Sequence, residues 1–263
     1  AQGYQTAAVH SYTNELYNRA ETFPAIGFDK LYFEDSFPET AQYKGGYISD
    51  EALIDQAISV YEHRDPDKPM FLYVLSMENH QPYPADKFDT PSGVKMESKG
   101  LTEEEQGILN TIVTGIHDAD ASLGQLVRYF ANKEEPVIIV FWGDHLPSLY
   151  TGTETGTVYS SLGYVGADDL EGLTVDELKK MVSTNYLIWT NYEEEPLPDR
   201  DTSSWMLGVQ VLDRLGLKKT PFFSYVNRLG DDMLLFRERL FLRADGTASK
   251  TIPEELMPEI EQY

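Results

Sequence analysis

Two unbroken apolar stretches, Met70–Met77 (MFLYVLSM) and Pro136–Trp142 (PVIIVFW), stand out from a chain whose apolar residues otherwise recur mostly at helical spacing. Continuous runs of this length predict strands buried on both faces, as in a parallel sheet. Tyr186–Thr190 predicts a third buried strand, and Tyr4–His10 (YQTAAVH) a short one ending in histidine. Ser49 and Asp50 cap a helix predicted through about His63, with Leu53, Ile54, Ala57, Ile58 and Tyr61 on one face. Thr102 and Glu105 form a capping box at the head of a helix reaching Ala131, whose apolar face runs from Leu109 to Phe130. Asp201–Leu215 is another amphipathic helix, with Gly216 as its stop. Shorter helices are predicted over Asn14–Phe23, with Pro24 near the stop, and after Thr174. Leu31–Phe37 mixes apolar and acidic residues and predicts an edge strand or an extended loop.

Strands alternating with helices imply an α/β fold, a mostly parallel sheet flanked by helices. Beyond Gly230 the pattern changes to short strands, Met233–Phe236 and Arg239–Arg243, followed by a turn at Ala244–Gly246. This predicts a main domain over 1–216 and a small C-terminal α+β subdomain over 217–263. Two polar excursions, Glu78–Gly100 and Leu146–Asp169, interrupt the main domain. Loops of that length inside compact domains commonly carry function.

Ligands of such sheets sit beyond the C-terminal ends of the strands. Three polar groups follow predicted strands: His10, Glu78-Asn79-His80 and Gly143-Asp144-His145. A carboxylate with an imidazole suits Zn, Mn or Fe. Adjacent residues of an extended chain point apart, however, so Asp144 and His145 share a cation only if the backbone turns there. Gly143 and Pro147 permit that turn; otherwise the two are a solvated loop pair. His80 is either a general acid, or a donor to developing negative charge, or a histidine closing the sheet edge. His10 is either part of a site or a satisfied histidine at the core edge. Arg19, nine residues further on, can clamp a pair of anionic oxygens. His63 and His117 fall in helical patterns and read as structural, with His117-Asp118 a local polar pair.

Composition narrows the chemistry. The 263 residues carry 21 basic and 44 acidic side chains, a formal charge of −23, which repels nucleic acid and argues against a nucleic-acid partner. A bound cation is compatible with that surface. The absence of cysteine excludes disulfides, thiolate metal sites and a cysteine nucleophile within these residues. There is no Gly-x-Ser-x-Gly elbow, no P-loop and no Gly-x-Gly-x-x-Gly, which removes serine hydrolases of that type, nucleotide kinases and Rossmann dehydrogenases. The apolar runs are far too short to span a membrane. Seventeen tyrosines serve a packed core or contacts to sugars and polyols.

GYQTAAVH with YNR and IGFDKLY, then FLYVLSMENHQPY, then IHDADASLGQLVRYF feeding PVIIVFWGDH, resembles the catalytic domain of the lipoteichoic acid synthase family over about residues 1–215. These are phosphoglycerol transferases of the sulfatase and alkaline phosphatase superfamily. The resemblance implies that Asp144 and His145 hold manganese, or Mg2+ or Zn2+ in its place, together with a Glu and a nucleophilic Thr. It implies that His80 contacts the phosphoryl group, with Asn79 beside it. His10 and Arg19 would grip the glycerol phosphate, with Tyr17 where a Trp is frequent and Tyr12 where some members have Asp. The implied substrate is a phosphatidylglycerol-like lipid, and the implied acceptor a glycerol-phosphate polymer. The implied location is the extracellular face of a bacterial cell membrane, reached through an anchoring segment. In the family the Glu and Thr blocks precede the block that opens this chain. The expectation is therefore a fragment, inactive alone, with apolar surface uncovered beside Val137–Trp142. Two further readings stand beside it: a true sulfatase, and a non-catalytic module that binds a surface polymer.

Overall fold

The computed structural model describes residues 3–149, 157–193, 195, 199–237 and 239–260. Along the chain run β1 (Gln5–His10), α1 (Arg19–Ile26), β2 (Lys30–Tyr32), β3 (Tyr43–Lys44), β4 (Tyr47–Ile48), α2 (Asp50–Glu62), β5 (Met70–Leu75) and α3 (Glu103–Phe130). There follow β6 (Ile138–Trp142), α4 (Val158–Ser161), α5 (Val175–Met181), β7 (Tyr186–Thr190), α6 (Ser204–Arg214), α7 (Pro221–Asp232), β8 (Met233–Arg237), β9 (Leu240–Arg243), β10 (Ala248–Ser249) and α8 (Met257–Ile260). The elements group into two compact units, residues 1–164 with 185–193, and residues 165–184 with 194–263.

The first unit is built on a parallel sheet in the order β2-β1-β5. Alternation along β1 sorts its side chains onto two faces. Ala7 and Val9 pack with Leu53 and Val60 of α2, while Ala8 packs with Phe23 and Phe33 on the other side. Burying Val9 completely contributes about 1.5–3 kcal/mol. Helix α2 starts where expected, because Ser49 Oγ accepts the Ala52 N–H at 3.2 Å. The capping box of α3 forms as the sequence predicts: Thr102 Oγ1 accepts the Glu105 N–H at 3.2 Å, and Glu105 Oε2 accepts the Thr102 N–H at 2.8 Å.

Two expectations change. The apolar runs of β5 and β6 are not buried on both faces: Phe71 is 53% exposed, and Phe141 and Trp142 are exposed as well. Among the described residues β5 pairs only with β1, and β6 pairs only with β7, antiparallel. Side chains project from the faces of a strand, so these three are exposed because the faces they stand on are only partly covered. The helix expected over Asn14–Phe23 begins later, at Arg19, because Tyr17 and Asn18 take left-handed backbone (φ 56° and 51°). It then runs through Pro24 and stops at Gly27, whose φ of 107° suits glycine and closes the helix. Leu31–Phe37 resolves into the edge strand β2 and a turn at Glu34–Ser36. In the excursion Leu146–Asp169, residues 150–156 lie outside the described residues, and α4 occupies part of the remainder.

The second unit pairs α6 and α7 with an antiparallel sheet β10-β9-β8, around Leu229, Met233, Phe241 and Leu256. Among the described residues no helix is long and apolar enough to cross a membrane.

Helix α3 also fixes the loop after β5. Asn79 Nδ2 donates to the Gly115 carbonyl at 2.8 Å, and a Cβ at Gly115 would fall 1.6 Å from Asn79 Oδ1. At Gly124 the nearest obstacle is the flexible end of Arg128, at 3.0 Å. Gly115→Ala is expected to lower stability by about 1–3 kcal/mol, whereas Gly124→Ala should be neutral or stabilising by up to about 1 kcal/mol. Urea midpoints of the two variants measure this, and equal effects would contradict the close packing of Asn79 on α3.

Candidate functional site

Parallel register sets His10 opposite Leu75, at the C-terminal end of the sheet. His10 is completely buried (0% exposed). Its Nδ1–H donates to the Leu75 carbonyl at 3.1 Å, and its Nε2 accepts from Arg19 Nη1 at 2.8 Å. Burial pulls the imidazole down to about 4; the Leu75 carbonyl opposes that fall, and the Arg19 charge adds to it. His10 is therefore neutral at physiological pH and adds no positive charge to the strand ends. This corrects the expectation that it grips an anion directly: the buried ring instead holds the guanidinium in place. Arg19 also lies 5.1 Å from the ring of Tyr17, which is exposed beside it.

An aromatic chain continues from His10 to His80. Tyr12 meets His10 edge-on at 6.4 Å and Tyr47 at 5.4 Å, and Tyr47 meets the His80 ring at 6.0 Å. The Tyr47 hydroxyl lies 3.5 Å from His80 Nδ1, whose shorter bond, 2.8 Å, goes to the Gln81 carbonyl. With Nδ1–H donating there, Nε2 is the acceptor nitrogen of His80. Lys87 Nζ donates to the His80 carbonyl and sits 5.1 Å from the Tyr83 ring. Asn79, expected to bind substrate, is turned instead toward Gly115, because the helix carbonyl takes its amide. Neither Tyr47 nor Lys87 stands out along the sequence as a site residue. The one local signal for Tyr47 is the glycine pair of YKGGY, which makes the β3–β4 turn.

Behind this loop lie two carboxyl groups: Glu78, which opens the polar group after β5, and Asp50, expected only at the head of a helix. Glu78 is 1% exposed and Asp50 4%. Glu78 Oε2 accepts the Asp50 backbone N–H at 2.7 Å, tying the end of β5 to the N-terminus of α2. Glu78 Oε1 and Asp50 Oδ1 have no hydrogen-bond partner. Burial pushes both groups up, Glu78 to about 7 and Asp50 to about 6. Each also feels Asp118 as a like charge, while Lys44 pulls both back down.

Asp144 and His145 follow β6, and the backbone turns there as their adjacency requires. Asp144 Oδ1 accepts the His145 N–H at 2.9 Å, and Oδ2 lies 3.5 Å from His145 Nε2. His145 Nδ1 donates to the Leu146 carbonyl at 2.8 Å, which leaves the Nε2 lone pair beside the carboxylate. An oxygen and an imidazole nitrogen fit a divalent cation such as Mn, Mg or Zn. Two donors alone make an incomplete metal site, and no group of three or more His, Cys, Asp or Glu suited to a metal occurs among the described residues. One phenol links this pair with Arg19. Tyr73 stacks on Trp142 at 6.3 Å; burial raises its pKa, the Arg19 charge lowers it and the Asp144 charge raises it. Tyr83, pushed up to about 12 chiefly by burial, feels Asp144 and Tyr47 together.

Beyond the strand ends of the parallel sheet lies an arginine buttressed by His10, and beyond β6, which pairs with β7, lies a carboxylate–imidazole pair. The sulfatase family model matches residues 1–217, and the chain belongs to that family. A putative cyclic beta-1,2-glucan modification protein of Rhizobium meliloti (strain 1021) is 27% identical over 251 residues, covering 93% of this chain. The chain spans 37% of that relative's length. Among solved structures, the Streptococcus pyogenes phosphoglycerol transferase GacH in complex with sn-glycerol-1-phosphate superposes with a TM-score of 0.67 at 22% identity, over 87% of this chain and 54% of that one. The lipoteichoic acid synthase LtaP from Listeria monocytogenes gives 0.62 at 19% identity, over 98% and 67%. At these identities the likeness to both is one of fold.

The two buried titrations carry opposite signs. His10 falls from 6.5 to about 4 on folding, so its contribution to stability is lost as pH drops between those values. Glu78 rises from 4.5 to about 7, so its contribution is present below pH 4.5 and lost as pH climbs to about 7. Glu78→Gln keeps an acceptor for the Asp50 N–H and removes the buried charge. It is expected to stabilise the chain at pH 8 by on the order of 1–2 kcal/mol and to lose that advantage near pH 4.5, while His10→Asn flattens the acid limb. Thermal unfolding from pH 4 to 8 tests both; a Glu78→Gln profile parallel to wild type would refute the buried titration.

Proposed function

We propose that the chain is part of the catalytic domain of a metal-dependent phosphoglycerol transferase of the lipoteichoic acid synthase type. The observation that carries this reading is Arg19, held by a neutral His10 and joined through Tyr12 and Tyr47 to His80. A guanidinium fixed in this way suits two oxygens of a phosphodiester. His10 is a positioning residue, and Tyr17 flanks the guanidinium on its exposed side. His80 Nε2 serves the phosphoryl group, taking a proton from an attacking hydroxyl or returning it to a departing one. Asp144 and His145 would hold the divalent cation, manganese or Mg2+ or Zn2+, which when bound neutralises charge at the reacting oxygens as a Lewis acid. The nucleophile in this reading is a threonine hydroxyl outside residues 1–263. The donor is a phosphatidylglycerol-type lipid that releases diacylglycerol, and the acceptor is a polymer hydroxyl, for which a glycerol-phosphate polymer is the family-based expectation. Residues 1–216 would form the catalytic portion, in line with a family match ending at 217, with 217–263 as a subdomain. The reading places the full-length protein at the extracellular face of a bacterial membrane. GacH and LtaP, named for phosphoglycerol transfer and lipoteichoic acid synthesis, support it by fold. The family's own description favours a second reading, sulfate-ester hydrolysis.

The test uses the full-length protein with fluorescent phosphatidylglycerol and with an aryl sulfate. Manganese-dependent diacylglycerol release is expected. Arg19→Ala should lower kcat/KM about 10²- to 10³-fold, His145→Ala should abolish turnover, and residues 1–263 alone should be inactive. Turnover of the aryl sulfate without the lipid gives the site to the sulfatase reading; full activity in His145→Ala ends the metal role.

A further inference from the structure

Side-chain ties close a circuit around the contact of His80 with Tyr47. Glu78 Oε2 accepts the Asp50 N–H at 2.7 Å and so joins the end of β5 to the start of α2. Tyr47 precedes Asp50 by three residues and His80 follows Glu78 by two, so this one bond holds the segments of both rings. Asn79 Nδ2 ties the same loop to the Gly115 carbonyl of α3 at 2.8 Å. On α3, Asp118 pairs with Lys44 of β3, which leads back to Tyr47. Lys87 Nζ donates to the His80 carbonyl from the far side of the loop. We propose that Glu78 is a positioning residue for His80 and acts as the neutral acid: loss of its proton pulls Lys87 off the His80 carbonyl and parts the His80 ring from Tyr47. The proposal deepens the phosphoglycerol-transfer reading, on which it rests for the role of His80.

Burial and hydrogen bonding carry the argument. Glu78 is 1% exposed, and neither its Oε1 nor Asp50 Oδ1 has a hydrogen-bond partner among the described residues. A buried carboxylate with a bare oxygen is costly. The acid form keeps one oxygen to accept the Asp50 N–H and carries the proton on the other. The charges that face Glu78 come from each element around it: Asp50 from α2, Asp118 from α3, Lys44 from β3 and Lys87 from its own loop. His117 lies behind Asp118, its Nδ1 3.4 Å from the carboxylate. Lys44 is committed to Asp118, so an ionised Glu78, set against the like charges of Asp50 and Asp118, draws on Lys87. The Lys87 ammonium already lies in the fields of Glu78 and Asp50, and it is the group that holds the His80 carbonyl. Burial first of all pushes Glu78 up to about 7, so the hold on His80 is present below that pH and lost as pH climbs through it.

Two measurements on wild type, Glu78→Gln and Asp50→Asn test this. In the 263-residue chain, the nuclear Overhauser contact between the His80 and Tyr47 rings is expected at about pH 6 and lost at about pH 8.5 in wild type. Glu78→Gln, which stays neutral, should keep it at both. Asp50→Asn removes a like charge that raises Glu78, so its loss of contact should move to lower pH. In the full-length protein turning over fluorescent phosphatidylglycerol, the kcat ratio of Glu78→Gln to wild type should rise about tenfold or more between the same pH values. KM should move less than about twofold, because Arg19 holds the substrate. Titrations of the metal ligands are common to both proteins and cancel in the ratio. A wild-type ring contact that persists at high pH, an equal loss in Glu78→Gln, or a kcat ratio independent of pH overturns the proposal. If Glu78→Gln does not fold, a transition in Asp50→Asn that is unmoved or raised overturns it instead. Absence of lipid turnover in every protein, with the ring contact following pH as stated, sinks the phosphoglycerol reading and leaves the hold of Glu78 on His80 standing.

Discussion

Parallel pairing of β1 with β5 puts His10 opposite Leu75, and the chemistry at this end of the first unit follows from that match. The register brings the Leu75 carbonyl to His10 Nδ1, and the same carbonyl accepts the Ser11 N–H at 3.3 Å. With Nδ1 so occupied, Nε2 is left to accept Arg19. A one-residue slip would turn His10 to the α2 face, where Ala7, Val9, Leu53 and Val60 pack, and would leave the guanidinium unsupported. The small residues of β1 serve the same end, since Ala7 and Ala8 let α2 and the Phe23–Phe33 cluster close over a strand whose last residue is polar.

Charge near the strand ends is controlled by burial more than by pairing. The imidazole of His10 is kept neutral so that a cation can lean on it, and the carboxyls of Glu78 and Asp50 are pushed toward their protonated forms. The accessible charges are few: Arg19 on one side, and the exposed Asp144–His145 pair on the other. Tyr73, raised first by its burial, feels Arg19 and Asp144 with opposite signs. An ester of phosphate or sulfate requires of a protein groups that can meet its anionic oxygens, and a guanidinium and a carboxylate–imidazole pair are residue types suited to that. Membership of the sulfatase family fits that requirement, and the choice between the two esters falls to groups beyond the fold.

Much of this was legible along the chain because it depends on local rules. Ser49 and the Thr102–Glu105 box start their helices through bonds within one turn, so composition and spacing suffice to find them. His10, His80 and the Asp144–His145 pair were placed correctly beyond strands, since an apolar run ending in polar residues marks a strand's exit from the core. Less local features were misread or missed. The late start of α1 hangs on Tyr17 and Asn18 in left-handed backbone, which asparagine favours but a tyrosine does not announce. The exposure of Phe71, Phe141 and Trp142 depends on which faces of their strands are covered, and an apolar run looks the same whether one face or both are covered.

The sequence by itself determined the elements, their caps, the residue types at the strand ends and the adjacency of Asp144 with His145. Tertiary structure alone decided what those residues are. Protonation is set by burial that distant parts of the chain create: His10 is neutral because it is buried, with the Arg19 charge adding to that fall, and Glu78 is pushed toward its acid form by burial first and by the Asp50 and Asp118 charges after it. Tyr47 and Lys87 joined the site only because the β3–β4 turn and the loop after β5 fold onto His80, and no spacing along the chain encodes that approach.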